Sequence, residues 1–426
     1  MRGLLAVLLG LVAVGGAGAG LAYVLFAGPG PIPPATVAFD RLTHDERRAL
    51  VARGRYVARA ADCEACHVSE DGVAYAGGFA METPFGTIYG TNITPSREHG
   101  IGGWSADDLY RAVVYGILPD GGHLYPAMPY TSYHAMQRAD VDALWAYLMA
   151  RPPIDKPDRA PDMIFPFNIR PAIAFWDMLF RPGGTTLPPV ESRPEAWHRG
   201  RYLVDVLGHC GDCHTPRNLA FAKTDRHLAG EIIEGDLAPD ITPAGLAARG
   251  WTPGDLRSFM ATGVSPQGTM TLGMYPVLVH STQHLTPEDL DAMVLYLMDG
   301  APAPAGPDPA AATLAGDPQA APGRTLYVGL CAGCHGTEGE GQPNASVPMR
   351  GNTTPMLEDP LNLVKVIRDG IPARRFAGTM RMQEMPGFGD RLTDREMADL
   401  VNYLRVAWGG RPGDVTPGQV AGTRDR

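Results

Sequence analysis

The pentad Cys210-Gly211-Asp212-Cys213-His214 recurs with the same spelling at 63–67 and at 331–335. Cys-x-x-Cys-His is the attachment signature of c-type haem. On a helical turn, positions i, i+3 and i+4 share one face, so two thiols can add to the two vinyl groups of one porphyrin. The histidine that follows then lies beneath the iron as an axial ligand. The three pentads use all six cysteines of the chain.

Two other readings of a Cys-x-x-Cys pair are a redox dithiol and half of a zinc site. Three copies with no spare cysteine argue against both readings, and no fourth zinc ligand recurs near the pentads. The sequence therefore predicts three covalently bound haem c groups, each with its iron. The predicted attachment residues are Cys63, Cys66, Cys210, Cys213, Cys331 and Cys334.

Length and composition agree with a small number of cofactor-centred domains. The chain has 426 residues and a formal net charge of -10. This charge argues against nucleic acid as a partner and against membrane binding through a polybasic surface patch. It contains 52 glycines and 40 prolines. These favour short helices joined by long loops that wrap around a cofactor.

The amino-terminal segment over 1–30 is apolar from Gly3 to Gly28, with no charged residue between Arg2 and Asp40. Its length suits a retained membrane anchor. A cleaved signal peptide is the alternative, with Leu4–Val14 as its apolar region and 17–19 as its cleavage site. Both interpretations predict an exported body on the periplasmic side of the cell inner membrane.

An internal repeat marks the domain starts. Arg53-Gly54-Arg55-Tyr56 precedes the first pentad, Arg199-Gly200-Arg201-Tyr202 the second, and a degenerate copy at 323–327 the third. Each repeat closes on a tyrosine-leucine pair, at 147–148, 296–297 and 403–404, within a stretch of helical apolar spacing. We expect this terminal helix to pack across the helix before the pentad. The predicted fold is all-α, with three consecutive cytochrome c-type domains after an N-terminal membrane segment.

Residues outside the repeats divide into three kinds. The connector at 153–194 is rich in proline but carries many aromatics, which indicates packing along the surface or a docking patch for a partner or a membrane. An Ala/Pro linker is expected at 301–322, and a disordered tail at 409–426. The predicted domains are 45–152, 195–300 and 323–408.

A haem that only carries electrons needs a second axial ligand, and methionine raises the reduction potential. Met128, Met274 and Met385 lie 61, 60 and 50 residues after His67, His214 and His335, each beside a proline or one residue from it. The competing methionines are Met270, Met380 and Met382. Bis-histidine ligation stays open for the first two haems through His123, His134, His280 or His284, but no histidine follows His335. An open distal position would indicate an oxidase or peroxidase instead.

The chain resembles the tri-haem cytochrome c subunit of membrane-bound bacterial dehydrogenases, such as alcohol, gluconate or sorbitol dehydrogenase. The resemblance extends from about Arg53 to Trp408. Its motifs are Gly77-Gly78, 83–89, Thr91-Asn92-Ile93-Thr94-Pro95, Tyr125-Pro126-Ala127-Met128-Pro129-Tyr130, 280–286 and Met385-Pro386-Gly387-Phe388-Gly389.

This resemblance implies an electron-transfer subunit with no substrate chemistry of its own. A separate catalytic subunit of the PQQ, FAD or molybdenum type would oxidise an alcohol, aldehyde or sugar acid, and electrons would pass through three haems to membrane ubiquinone. The implied axial pairs are His67 with Met128, His214 with Met274, and His335 with Met385. The alternatives are a general periplasmic carrier serving a terminal oxidase and a haem peroxidase.

Overall fold

The computed structural model describes residues 15, 16, 18, 20, 28, 30–302, 321–343, 345–377 and 381–424. Two compact units divide the chain: residues 1–190 with 205–209, and residues 191–204 with 210–426. The second unit holds both the second and the third pentad. The predicted membrane segment over 1–30 and the linker at 301–322 fall mostly outside the described residues. The division into three haem domains stays a prediction.

The first repeat lies in the first unit. Its helices and strands are α1 (His44–Ala60), α2 (Cys63–His67), β1 (Ala80–Thr83), β2 (Gly86–Tyr89), α3 (Ala106–Tyr110) with a π-helical turn at Arg111–Tyr115, α4 (Tyr130–Tyr133) and α5 (Arg138–Met149). The connector adds β3 (Asp162–Met163), a 3₁₀ turn at Arg170–Ala172 and α6 (Ile173–Phe180).

The second repeat shares with the first a pentad turn, a short hairpin and a terminal helix in the same order. It contains α7 (Glu195–Arg201) with a π-helical turn at Tyr202–Leu207, α8 (Gly211–His214), β4 (Glu231–Ile233), β5 (Asp236–Ala238), α9 (Pro243–Ala248), α10 (Pro253–Thr262), β6 (Val264–Ser265), β7 (Gly268–Thr269), α11 (Met274–His280), a 3₁₀ turn at Thr282–His284 and α12 (Pro287–Leu297).

The third repeat contains α13 (Ala321–Leu330), α14 (Ala332–His335), a 3₁₀ turn at Thr354–Met356, α15 (Leu361–Asp369), β8 (Arg374–Arg375), β9 (Arg381–Met382), α16 (Asp394–Trp408) and α17 (Pro417–Gly422). The protein is mostly helical, as predicted. The all-α expectation omits four short antiparallel sheets in the described part of the chain, ordered β1-β2-β3, β4-β5, β6-β7 and β8-β9.

One glycine in each repeat lets two helix backbones cross. A Cβ atom on Gly54 would lie 1.9 Å from the carbonyl oxygen of Ala143, and one on Gly200 would lie 1.9 Å from that of Ala292. In the third repeat, a Cβ atom on Gly323 would lie 2.1 Å from the carbonyl oxygen of Asp399. Such distances exclude any side chain larger than hydrogen. The prediction that the terminal helix packs across the helix before the pentad is confirmed.

Ion pairs hold the first two crossings. Arg53 Nη2 lies 2.5 Å from Asp140 Oδ1 in the first repeat. Arg199 makes two bonds to Asp289 in the second, of 2.8 Å from Nε and 2.6 Å from Nη2. Each arginine directly precedes the crossing glycine, and a two-bond arginine–carboxylate pair fixes orientation as well as distance.

N-caps start several of the helices. Ser105 accepts a hydrogen bond from Asp108 N and forms a capping box at α3, and Thr252 accepts from Asp255 N at α10. Serine and threonine at these positions satisfy free N–H groups of the first turn.

The tail prediction is wrong over 409–424. Residues 417–422 form α17, and Val415 and Val420 are buried in the core of the third repeat. The Asn402 side chain of α16 fixes the tail, because it donates to the carbonyl of Val415 and accepts from its N–H, both at 2.9 Å. The tail is therefore part of the third repeat.

The connector is part of the first unit up to residue 190. Strand β3 pairs with β2, and α6 buries Ile173, Ala174 and Asp177. The connector therefore packs against the first repeat, as one of its two interpretations predicts, and the docking patch stays a prediction. Within the described residues, none of the helices combines the length and the apolar composition needed to cross a membrane.

The crossing predicts a contrast between two glycines of α13. Gly323→Ala should destabilise the pairing of α13 with α16 by about 1–3 kcal/mol, because the new methyl overlaps the Asp399 carbonyl. Gly329→Ala is the matched control: Gly329 is exposed with no atom within 4 Å of a new Cβ, so the change should be neutral or stabilise by up to about 1 kcal/mol. Amide hydrogen exchange of the α13 and α16 peptides measures both. Equal effects of the two substitutions would contradict the crossing.

Candidate haem-binding sites

The first pentad forms a single helical turn, α2, directly after the crossing helix. Its two thiols are half-buried. The Nδ1–H of His67 donates to the carbonyl oxygen of Thr91 at 2.6 Å, just beyond β2. A histidine whose Nδ1 is occupied in this way presents Nε2 to a metal in a fixed orientation.

The second pentad repeats this geometry. The Nδ1–H of His214 donates to the carbonyl oxygen of Pro239 at 2.6 Å, directly after β5. His214 is buried. In both repeats, therefore, the second strand of a short hairpin delivers the carbonyl that orients the pentad histidine.

The third pentad reaches the same result without a hairpin. The Nδ1–H of His335 donates to the carbonyl oxygen of Val347 at 2.9 Å. Cys331, His335 and Met385 line one cavity together. Its walls also include the apolar side chains of Leu363, Val366, Ile367, Ile371 and Leu404. An apolar cavity with a cysteine, an oriented imidazole and a thioether fits the donor set of a covalently attached haem.

Burial sets the protonation of these groups. It lowers the pKa of His67, His214 and His335, against the opposing effect of the carbonyl hydrogen bonds. The three imidazoles are therefore neutral near neutral pH, which is the form that binds a metal. Burial also raises the pKa of the Cys331 thiol to about 11.

The three candidate methionines are half-buried. Met128 N donates to Tyr125 O at 3.0 Å, and Met274 begins α11. Met385 exchanges two backbone hydrogen bonds with Ile371, at 2.9 and 2.8 Å. Met385 lines one cavity with Cys331 and His335, and all three axial pairings stay predictions.

The competing ligands have other surroundings. Met270 is fully buried and hydrogen-bonds through its backbone to Gly263, Met382 lies in β9, and Met380 lies outside the described residues. His123 is buried, with Nδ1 2.5 Å from Asp177 Oδ2. His134 Nδ1 donates to Thr131 O, and His284 Nε2 donates to Val279 O, both at 2.9 Å.

Sequence reasoning missed the carbonyl-bearing residues Thr91, Pro239 and Val347. A signal was present for two of them, because the repeated motifs Asn92-Ile93-Thr94-Pro95 and 240–243 follow them directly. The Asn92 side chain accepts from the N–H of Thr94 at 3.0 Å, and Asp240 accepts from that of Thr242 at 2.7 Å. These turns stiffen the loops that carry the carbonyls.

Comparison with known proteins agrees with this geometry. Residues 320–408 match the family model of cytochrome c. A cytochrome c domain binds haem c covalently, so this part of the chain carries the cofactor.

Several relatives match nearly the whole chain. The cytochrome c subunit of a quinone alcohol dehydrogenase from Gluconacetobacter polyoxogenes is 37% identical, over 90% of this chain and 86% of the relative. The gluconate 2-dehydrogenase cytochrome c subunit from Pantoea cypripedii is 36% identical, over 91% and 93%. The fructose dehydrogenase cytochrome subunit from Gluconobacter japonicus is 36% identical, over 88% and 83%. The chain belongs to this family, the electron-transfer cytochrome c subunits of alcohol, gluconate and fructose dehydrogenase complexes.

Proposed function

We propose that the chain is a three-haem electron-transfer subunit that accepts electrons from a periplasmic dehydrogenase subunit and passes them to membrane ubiquinone. The partner would oxidise an alcohol, an aldehyde or a sugar acid with a PQQ, FAD or molybdenum cofactor. The chain has no substrate chemistry of its own in this proposal. It belongs on the periplasmic side of the cell inner membrane.

The observation that carries the proposal is the threefold recurrence of one histidine geometry. His67, His214 and His335 each follow two cysteines on a helical turn, and each donates its Nδ1–H to a backbone carbonyl. A purely structural role for these histidines would not explain why the same hydrogen bond recurs three times, each time directly after two cysteines. Haem c supplies reversible one-electron redox chemistry when bound, and the repeated sites offer three places for it.

A methionine ligand for each haem would support electron transfer rather than catalysis. The proposed ligands are Met128, Met274 and Met385, whose thioethers would hold the coordination position that oxygen or peroxide needs in an oxidase or peroxidase. Prolines at 126, 129, 276 and 386 restrict the loops around them. With both ligands bound, each iron would offer no open site for substrate.

The proposed ligand of the third haem is tested by two methionine variants. Met385→Ala should change the spin state of that haem and lower its reduction potential by on the order of a tenth of a volt or more, because axial ligation sets the potential. Met382→Ala is the control, since Met382 lies in β9 of the same repeat. Spectroelectrochemical titration of the holoprotein measures both. An unchanged spectrum in the Met385 variant, or a changed one only in the Met382 variant, would assign the ligand elsewhere.

The proposed partner is tested by mild-detergent purification from the native membrane. We expect a dehydrogenase catalytic subunit to co-purify, identified by mass spectrometry, together with low-spin haem spectra. The isolated complex should reduce a soluble ubiquinone analogue when substrate is added. Co-purification with terminal oxidase subunits, or rapid peroxide turnover by a high-spin haem, would replace the proposal with one of the two alternatives.

A further inference from the structure

A cluster of exposed apolar side chains lies in the connector of the first unit. Of twelve large hydrophobic residues recorded as exposed in the described part of the chain, six fall within residues 164–179. The exposed fraction reaches 78% for Phe165 and 68% for Leu179. The six, here called the apolar patch, are Ile164, Phe165, Phe167, Ile169, Phe175 and Leu179. Such a concentration on a folded surface marks an interaction site, whereas single exposed residues such as Leu219 do not.

The fold holds the apolar patch outward. Helix α6 faces the first repeat with Asp177, which binds His123 Nδ1 at 2.5 Å and accepts from the Tyr130 hydroxyl at 2.7 Å. This buried pair of contacts fixes the rotation of the helix. Phe175 and Leu179, four residues apart on one face, therefore stay exposed.

The loop before α6 is fixed as well. Ile164 N donates to Phe85 O at 2.9 Å, and the rings of Phe85 and Phe167 lie 4.2 Å apart. The apolar patch therefore lies on a segment held by strand pairing, a ring contact and the side-chain hydrogen bonds of Asp177, and not on a loose linker. Large apolar side chains held exposed in a fixed position are typical of a surface that contacts an apolar phase or partner.

The charge beside the apolar patch is positive on balance. Residues 162–190 contain four charged side chains: the exposed Asp162, the half-buried Arg170 and Arg181, and the buried Asp177. Because Asp177 is buried against His123, the two arginines outnumber the one exposed carboxylate by one charge. In a chain of net charge -10 this is a local exception. Aromatic and aliphatic side chains flanked by arginine suit the headgroup–acyl boundary of a bilayer with anionic lipid.

The apolar amino-terminal run joins the unit at the same place. Arg181, at the end of α6, donates from Nη2 to the carbonyl oxygen of Gly28 at 2.8 Å. The Tyr115 hydroxyl donates to Pro31 O at 2.9 Å. The apolar run from Gly3 ends at Gly28. Arg181 therefore links the end of this run to α6, two residues after Leu179 of the apolar patch. A membrane that holds the apolar run would also reach the apolar patch, and this favours a membrane over a second protein as the occupant.

We infer that the apolar patch rests in the interface of the lipid bilayer, with Phe165 and Leu179 among the inserted side chains. This inference rests on the proposed membrane attachment and adds to it a second contact. The first unit then lies against the membrane rather than at the end of a tether, which restricts its distance from the quinone pool.

Photoreactive lipid cross-linking tests the contact. The full-length holoprotein is incorporated into vesicles of phosphatidylethanolamine and phosphatidylglycerol that contain a phospholipid with a diazirine on its acyl chain. After illumination, peptide mass spectrometry maps the lipid adducts. We expect adducts on peptides spanning 164–180 in severalfold excess over peptides around Leu219 and Val328, which are exposed apolar residues outside the cluster.

A double variant of the apolar patch and a control variant elsewhere distinguish loss of the apolar surface from loss of the fold. Phe165→Ser combined with Leu179→Ser should reduce adducts on 164–180 severalfold, with adducts on the amino-terminal peptide retained. Leu219→Ser, the control, should leave the 164–180 adducts unchanged. All three side chains are exposed, so the fold should be retained.

Two results would overturn the inference. Adducts confined to the amino-terminal peptide would show that the apolar patch faces away from lipid, although the proposed electron-transfer function would stand. In native membranes, protein cross-links from 164–180 to a dehydrogenase subunit without lipid adducts would reassign the apolar patch to a protein interface. The proposed function is tested separately, by identifying the subunit that co-purifies and by measuring ubiquinone reduction.

Discussion

The close crossing of two helices through a glycine is the constraint on which each repeat depends. At Gly54, Gly200 and Gly323 the missing side chain lets a carbonyl of the terminal helix approach to within 1.9–2.1 Å of where a Cβ would stand. The crossing helix leads directly into the pentad, so it fixes the start of the haem-binding turn. Arginine–aspartate pairs reinforce the first two crossings. The third crossing has a proline in place of the arginine before its glycine. It is stabilised instead by the packing of Tyr327, Tyr403 and Trp408, whose ring centres lie 4.9–5.6 Å apart.

The second constraint is the backbone carbonyl that orients each pentad histidine. Two repeats take it from the end of a hairpin and the third takes it from a loop, yet all three occupy Nδ1 and leave Nε2 for a metal. Burial keeps the imidazoles neutral by lowering their pKa. The same chemistry reached by two local structures indicates that the histidine orientation, more than the hairpin, is what function requires.

Much of the fold and of the haem-binding sites could be predicted from local sequence pattern. The pentads, the repeated motif before each of them and the apolar spacing of the terminal helices are short-range signals with a direct physical reading. The carbonyl of Val347 could not be predicted, because a backbone acceptor carries no residue type; those of Thr91 and Pro239 were marked only indirectly, by the repeated motifs that follow them. The tail was misjudged because its glycine, proline and charged residues resemble a disordered end, whereas two valines and the distant Asn402 decide its packing. The apolar patch was only half predicted: the aromatics were evident, but burial of Asp177 decides which face is exposed.

The central claim is that three equivalent sites each hold a haem, although the cytochrome c family model matches only residues 320–408. The most direct test is the mass of the intact chain, purified from a host that attaches haem c and measured under denaturing conditions. The account predicts the polypeptide plus three covalently bound haems, with adducts at all three pentads after proteolysis. A mass corresponding to one haem, carried only by the peptide with Cys331 and Cys334, would contradict it.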